Sequence, residues 1–318
     1  MTALPRSATA LRAAEMYFID NMTMDEIGHA LGCSRATVSR LVNGAKTSGL
    51  VEIVVHRKGR APSTLERVIG DRYGVRVTVV APPPTAIDSD RLRHGAAQGA
   101  ALLRANLAPD LSVAVVWGVT VATVARSLSP GVVPGLQIVQ MSGTGNTFSS
   151  GAEYASGTLG RFGAAFGARV HHFPVPDFFD HSATHAAVWS ERSVQRVLRL
   201  QRRANVAVFS VGALGGGVPG HLYRSGYLQR ADLQALANRG VVGDLGTVFL
   251  RADGDSESLP INSRSSGLPI EELKRIPKRI CIALGGAKAP VIRAALLAGA
   301  ITDLVVDDAV AELLSHEG

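Results

Sequence analysis

Hydrophobic positions recur at helical spacing in residues 7–56, and capping residues and glycines divide this region into three short helices and a strand. The second helix lies in TMDEIGHALG, where Thr23 and Glu26 have the spacing of a capping box and Gly32 ends the helix. Ser34 caps the third helix, and the β-branched run LVEIVVH predicts the strand. Two short helices joined by a glycine turn are typical of a helix-turn-helix.

From residue 75 the pattern changes to short Val- and Ile-rich runs that alternate with helical segments. Such runs predict a parallel sheet covered by helices on both faces, a doubly wound α/β fold. The predicted strands include SVAVVWG, LQIVQMSG, NVAVFSVGAL, GTVFLRA and RICIALGG, and one long helix is predicted over about 183–204. The chain therefore divides into a helix-turn-helix domain (1–56), a linker with a short helix (57–74) and a larger ligand-binding domain (75–318).

The third helix carries the polar groups that would read DNA. Gly28 is small where the two helices of the motif cross closely. The side chains that can donate to phosphates and to base edges in a major groove are Ser34, Arg35, Thr37, Ser39 and Arg40, with Thr23 at the start of the preceding helix. An ordinary helical hairpin with a solvated face is the alternative.

Composition narrows the function classes. Of the 318 residues, 46% are hydrophobic and 19% charged, which excludes a disordered chain. Two cysteines exclude a disulfide scaffold and a four-cysteine zinc site. No signal peptide or membrane span is evident, so we expect a cytoplasmic protein. The net charge of +7 favours partners that bear phosphate.

Three predicted strand ends carry groups suited to a small ligand, because open α/β sheets bind ligands at the carboxyl ends of their strands. The candidate residues are Gly118, Thr120 and Val121 at and after the end of SVAVVWG, Gly143, Thr144 and Asn146 at and after the end of LQIVQMSG, and Lys288 at a glycine turn that begins a helix. Helix N-termini and a lysine suit a phosphate. Asp244, in GDLG, could accept sugar hydroxyls or cap a turn, and ordinary glycine turns are the alternative for the rest.

Other features of the sequence say less about function. The basic segment 56–62 is a solvated hinge or a DNA-backbone contact. An arginine stripe at 192, 196, 199 and 203 is interpreted as solvated or paired between subunits, and the glycine-rich 212–217 as a loop at the pocket rim. His181 and His185 lack a third ligand, so neither a metal nor a cofactor is expected.

The chain resembles the SorC family of bacterial sugar-binding transcriptional regulators along nearly its whole length. The resemblance is carried by MTMDEIGHALGCSRATVSRLVNGAKTSGLVEI, VVWGVTV, VVGDLGTVFLRADG and IALGGAKAPVIRAALLAGAITDLVVDDAVAELL. It implies an effector domain similar in fold to sugar-phosphate isomerases, deaminases and CoA transferases, tetrameric assembly and a phosphorylated sugar as effector. By position it also implies effector contacts at Gly118, Thr120, Val121, Asp244 and Lys288, and DNA contacts from Ser34 through Arg40.

Two departures from the family pattern affect the expected chemistry. Some relatives hold an aldehyde effector through a lysine in the loop that here reads SGTGN, so a Schiff base at this loop is excluded. In LGGAK the glycine pair stands one residue later than is usual in the family.

We therefore expect a non-enzymatic regulator of carbohydrate metabolism that binds double-stranded operator DNA and a sugar phosphate, non-covalently, as a homotetramer or dimer. One alternative is a transcriptional regulator whose effector is an unphosphorylated sugar or polyol. An isomerase- or deaminase-like enzyme with an appended DNA-binding domain is the other, and Asp244 is the one general base that we can name for it.

Overall fold

The structure, a computed structural model, describes residues 6–48, 50–51, 62–82, 85–146, 151–215, 221–224 and 226–316. The chain forms two compact units, Met1–Gly59 and Arg60–Gly318. In the described residues no helix combines the length and the apolar character that crossing a membrane requires.

The first unit contains three helices, α1 (Arg6–Phe18), α2 (Met24–Leu31) and α3 (Arg35–Thr47). Their boundaries have the predicted causes. Thr23 and Glu26 form the capping box of α2, and Gly32 ends it with φ of 64°. The helices enclose a small core of Ala13, Met16, Ile27, Val38 and Val42. Of the strand predicted at 50–56, residues 52–56 lie outside the described residues.

The second unit is built on a seven-stranded parallel sheet, as predicted. Its strands are β1 (Arg76–Val80), β2 (Ser112–Val115), β3 (Gln137–Gln140), β4 (Arg169–His171), β5 (Val206–Phe209), β9 (Lys278–Ile282) and β10 (Asp303–Asp307). Their order across the sheet is β1-β10-β9-β5-β2-β3-β4. From β2 the chain adds β3 and β4 on one side, and β5 then lies on the other side of β2, so the strand order reverses between β2 and β5.

Helices cover both faces of this sheet. The helices of the second unit are α4 (Thr64–Tyr73), α5 (Asp88–Ala105), α6 (Val119–Arg126), α7 (Ala152–Phe166), α8 (Ser182–Ser190), α9 (Arg192–Arg202), α10 (His221–Arg224), α11 (Arg230–Asn238), α12 (Ile270–Leu273), α13 (Ala289–Leu297) and α14 (Asp308–His316), with 3₁₀ turns at Pro260–Arg264 and Gly286–Lys288. Val113 and Val115 pack with α5, α6 and α7. Ala114 and Val116 belong to the core on the other face, with α4, α13 and α14. This alternation places both apolar surfaces of the strands away from water.

A second, three-stranded antiparallel sheet corrects the expectation that every strand joins one parallel sheet. It consists of β6 (Val211–Ala213), β7 (Val241–Leu245) and β8 (Val248–Arg251). Gly246 and Thr247 join β7 to β8 and both have positive φ, of 53° and 75°. A two-residue turn of this kind returns the chain directly beside itself and requires antiparallel pairing. GDLG is therefore the end of a strand and its turn, and Gly212 lies in β6 and not in a loop.

The long helix predicted over 183–204 is also wrong as a single element. Glu191 is extended, with φ of −67° and ψ of 137°, and separates α8 from α9. Beyond the break, Val194, Val197 and Leu198 pack into a cluster with Phe173. The break lets α9 pack its apolar stripe on the sheet, while α8 has no buried residues.

Candidate functional site

The predicted strand-end residues meet where the strand order reverses, at the carboxyl ends of β2, β3, β5 and β9. The ends of β2 and β3 are tied together because Trp117 Nε1 donates a 2.5 Å hydrogen bond to the carbonyl oxygen of Gly143. Val116 N–H donates to Val208 on β5 at 3.1 Å. This crevice is the usual ligand site of doubly wound sheets.

Gly118 lies between β2 and α6 and leaves space beside its backbone for a ligand. Its φ is 148°, a conformation that L side chains rarely adopt, and nothing lies within 4 Å of where a Cβ would be. The first hydrogen bond of α6 is donated by Ala122 N–H to Gly118 O at 2.8 Å. The amides of residues 119–121 precede it, so the helix presents its positive end here. Thr120 and Val121, the predicted effector residues, have buried side chains at this end.

The loop after β3 is held by the protein and not free. Gly143 N–H donates to Ser266 Oγ at 2.7 Å, and Thr144 N–H donates to Val175 O at 3.1 Å. A Cβ on Gly143 would lie 2.3 Å from the carbonyl oxygen of Pro176, so this position requires glycine. The structure therefore gives the backbone of Gly143 a shaping role, and the side chains of Thr144 and Asn146 are the groups with which this loop would meet a ligand.

Asp244 lies in β7 with its side chain buried. Its Oδ1 accepts a 2.8 Å hydrogen bond from Tyr223 Oη, and its Oδ2 accepts one from Thr247 N–H at 3.1 Å. Burial raises the pKa of Asp244 to about 6, although these two donors and the charge of Lys288 act in the opposite direction. Asp244 thus fixes the hairpin turn and also lies within electrostatic range of Lys288.

Lys288 ends the 3₁₀ turn before α13, and its side chain is partly buried. Burial lowers its pKa, while Cys281, Asp244 and Asp307 act to raise it. Within the described residues its ammonium has no ion-pair or hydrogen-bond partner. The preceding turn is anchored because Gly285 N–H donates to Asp307 Oδ2 at 3.0 Å. A partly buried cation without a direct ion-pair partner favours an anionic ligand.

Sequence reasoning missed several residues at this site. Tyr227 Oη donates to Thr144 O at 3.2 Å, and its ring lies 5.7 Å from that of Trp117. Tyr223 holds Asp244, and Asp177 is fully buried beside the loop after β3. These residues come from connecting segments without a local motif, so no signal in the sequence pointed to them.

A cavity of about 260 Å³ adjoins the site at Tyr227 and is also lined by Phe178, Asp232 and Arg264. No predicted effector residue lines it. Arg264 is paired with Asp232 at 2.6 Å, so this cavity offers no unpaired charge of the kind found at Lys288.

The predicted DNA-reading residues occupy the start and the outer face of α3. Ser34 Oγ accepts from Thr37 N–H at 3.2 Å and lies 2.9 Å from Thr37 Oγ1, so these two hydroxyls stabilise the helix start. Arg35 and Arg40 are exposed, and Ser39 is half-buried. Arg35 lies 3.5 Å from Asp25, an exposed pair that a phosphate can replace.

The remaining sequence features add no residue to the candidate site. Residues 56–61 of the basic segment lie outside the described residues. The arginines at 192, 196, 199 and 203 are exposed. His185 stacks on Trp189, with ring centroids 3.9 Å apart. In the described part of the chain, no three His, Cys, Asp or Glu side chains group as a metal site would.

Comparisons with known proteins concern the fold and the type of domain. Residues 59–315 match the family model described as "Putative sugar-binding domain". Over 97% of its length the chain is 29% identical to the deoxyribonucleoside regulator of Bacillus subtilis (strain 168), 97% of which is covered. A domain of a "possible sugar-binding transcriptional regulator" from Arthrobacter aurescens TC1 is 40% identical, with a TM-score of 0.76 over 82% of this chain and all of that one. The full-length sorbitol operon regulator SorC of Klebsiella pneumoniae shares the fold, with a TM-score of 0.71 at 21% identity over 97% and 99% of the two chains.

Proposed function

Because the chain belongs to the SorC family of sugar-binding transcriptional regulators, we propose that its larger unit binds a phosphorylated sugar non-covalently and thereby controls operator binding. The chain is a DNA-binding transcriptional regulator of sugar metabolism, and its relatives are regulators and not enzymes. The phosphate, the assembly state and the residue roles below are our proposal.

The observation that carries the proposal is the partly buried side chain of Lys288, whose ammonium has no ion-pair or hydrogen-bond partner among the described residues. The amides that precede Ala122 at the start of α6 add a second centre of positive potential in the same crevice. A phosphate placed between them would satisfy both, with Gly118 leaving room and Thr120 and Val121 supplying groups at the helix end.

The opposite part of the site suits hydroxyl groups. Asp244 is a hydrogen-bond acceptor, and Thr144 and Asn146 offer polar side chains at the end of β3. No lysine occurs in residues 142–146, which supports non-covalent binding.

We assign DNA binding to residues 1–56, with 57–74 as the connection to the effector domain of 75–318. Arg35 and Arg40 would contact phosphates, and Ser39 would face base edges, while Thr23, Ser34 and Thr37 position α3 and contact the backbone. As a dimer or tetramer, the protein would place two such helices on a palindromic or repeated operator. Effector binding would change the relative population of assemblies that fit this operator.

The test is a thermal-shift series in which each sugar phosphate is paired with its unphosphorylated sugar, because a ligand of the native state raises the melting temperature. We expect a shift with a phosphorylated compound, and we expect Lys288→Met to abolish it. Arg293→Met on α13 is the control for a lost cation. Shifts with free sugars alone, unchanged by Lys288→Met, would contradict the phosphate assignment.

An unphosphorylated polyol is the second candidate, and one observation favours it. Two buried carboxyl groups, Asp177 and Asp244, interact electrostatically at this site and offer acceptor oxygens to ligand hydroxyls. The same paired series decides between the two ligand classes.

A further inference from the structure

Asp177 lies in the segment between β4 and α8, beside the proposed effector site, and is fully buried. Neither of its carboxyl oxygens has a hydrogen-bond partner among the described residues. Buried polar groups are almost always hydrogen-bonded, so an orphaned carboxyl group at full burial requires a cause.

The neighbouring hydroxyls do not provide the missing partner. Ser266 Oγ already donates to the main-chain carbonyl of Asp177 at 2.9 Å and accepts from Gly143 N–H at 2.7 Å. Ser142 Oγ points to Gly143 O at 3.4 Å. Both hydroxyls act to lower the pKa of Asp177, against the effect of burial, yet the carboxyl oxygens have no hydrogen bond within the described residues.

The main chain of Asp177 is fixed to the site. Its N–H donates to Gly145 O at 3.0 Å, in the loop that carries Thr144 and Asn146. Its carboxyl group interacts electrostatically with Asp244 and with Tyr227, the two residues that lie over the strand ends. Ser210, directly after β5, has a second buried hydroxyl without a partner. Two unsatisfied polar groups therefore lie near the same strand ends.

We propose that Asp177 is a further effector-binding residue, whose carboxyl group accepts hydrogen bonds from ligand hydroxyls at the end of the molecule remote from the phosphate. The inference rests on the proposed function. It adds a specificity role, because the positive groups at Lys288 and α6 draw the anionic end of the ligand while the carboxyl group of Asp177 selects for a hydroxyl group.

The surroundings of Asp177 explain why hydroxyl groups are the matching ligand chemistry. Burial and the neighbouring Asp244 raise the pKa of Asp177, and its carboxyl oxygens have no hydrogen-bond partner among the described residues. A ligand hydroxyl that donates to it removes an unsatisfied polar group from the interior. A deoxy analogue would leave the group unsatisfied, and sites of this kind discriminate strongly against the missing hydroxyl.

The experiment compares wild type with Asp177→Asn, which has nearly the shape of the protonated acid, and with Asp177→Ala. Thermal shift and tryptophan fluorescence measure binding of sugar phosphates, of their deoxy analogues and of inorganic phosphate. We expect Asp177→Ala to lose about tenfold or more in affinity for the responding sugar phosphate and to lose discrimination against one deoxy analogue, whereas Asp177→Asn, whose amide oxygen still accepts a hydrogen bond, should lose less. Inorganic phosphate should bind as in wild type. Asp180→Asn, an exposed acid three residues further on, is the matched control.

The outcomes separate the two proposals. Unchanged sugar-phosphate affinity in both variants would overturn the role of Asp177 and leave the proposed function intact. Loss of the inorganic-phosphate response together with the sugar response would assign Asp177 to the fold and also overturn it. A wild-type protein that responds to no sugar phosphate would refute the proposed function itself.

Discussion

Replacing Asp244 by Asn should stabilise the larger unit at neutral pH, and the size of the effect follows from burial. In the folded state the pKa of Asp244 is raised to about 6, against an ordinary value of 3.8. Above both values the ionised side chain opposes folding by about 3 kcal/mol, because each tenfold change in the proton equilibrium is worth about 1.4 kcal/mol. The introduced amide can accept from Thr247 N–H and donate to Tyr223 Oη, whose hydroxyl can turn toward Gly212 O at 3.4 Å.

The sign of the pH dependence is fixed by where the proton is held. The folded state keeps the Asp244 proton up to about pH 6, whereas the unfolded chain releases it near 3.8. The contribution of Asp244 to stability is therefore greatest below pH 4 and is lost as the pH rises through about 6. The stability gap between the Asn variant and wild type should widen by about 2 kcal/mol between about pH 4.5 and about pH 7.5.

Tryptophan fluorescence during urea unfolding measures this gap. The chain has two tryptophans, Trp117 and Trp189, and both lie in the larger unit, so the signal reports that unit alone. Asp71→Asn, an exposed acid on α4, is the control and should leave the curves parallel. A gap that stays constant over this pH range would refute the assignment of a raised pKa to Asp244.

Two further predictions concern the helix-turn-helix. Gly28→Val places a Cβ 2.7 Å from the carbonyl oxygen of Cys33, so it should lower stability by about 1–3 kcal/mol and weaken operator binding. Gly44→Ala, whose Cβ would have nothing within 4 Å, should stabilise α3. Equal melting curves for the two variants would contradict the close crossing of the helices at Gly28. Arg40→Ala should reduce the slope of log affinity against log salt by about 1 if Arg40 contacts a phosphate, measured by fluorescence anisotropy on the operator, while Arg67→Ala on α4 should not change it.

The sequence predicts the first unit well because its determinants are local. The Thr23–Glu26 capping box and the glycine at 32 act within a few residues, and the structure confirms both. The parallel sheet is also confirmed, since strands buried on both faces need continuous apolar runs that a reader can see directly.

The parts that sequence reasoning missed depend on distant contacts. The β7–β8 hairpin turns at Gly246 and Thr247, and a threonine at positive φ is not a turn signal that composition reveals. The sequence therefore does not reveal that Asp244 lies in a strand, although the turn-capping role that it allows agrees with the hydrogen bond from Thr247 N–H. Tyr223 and Tyr227 reach the site only after the chain between β6 and β7 folds back over the strand ends.

The two sheets give the candidate site its regulatory potential. Gly118 and the start of α6 follow a strand of the large sheet, whereas Asp244 lies in the small antiparallel sheet. A ligand with a phosphate at α6 and Lys288 and hydroxyls at Asp244 would contact both sheets at once, and its binding energy would favour one arrangement of the small sheet over others. Such a ligand can act on a distant operator only if the affinities of the two arrangements for DNA differ, and the same difference must appear as altered effector affinity when operator is bound. Measuring effector affinity with and without operator therefore tests the coupling directly, and equal values would show that the site binds without regulating.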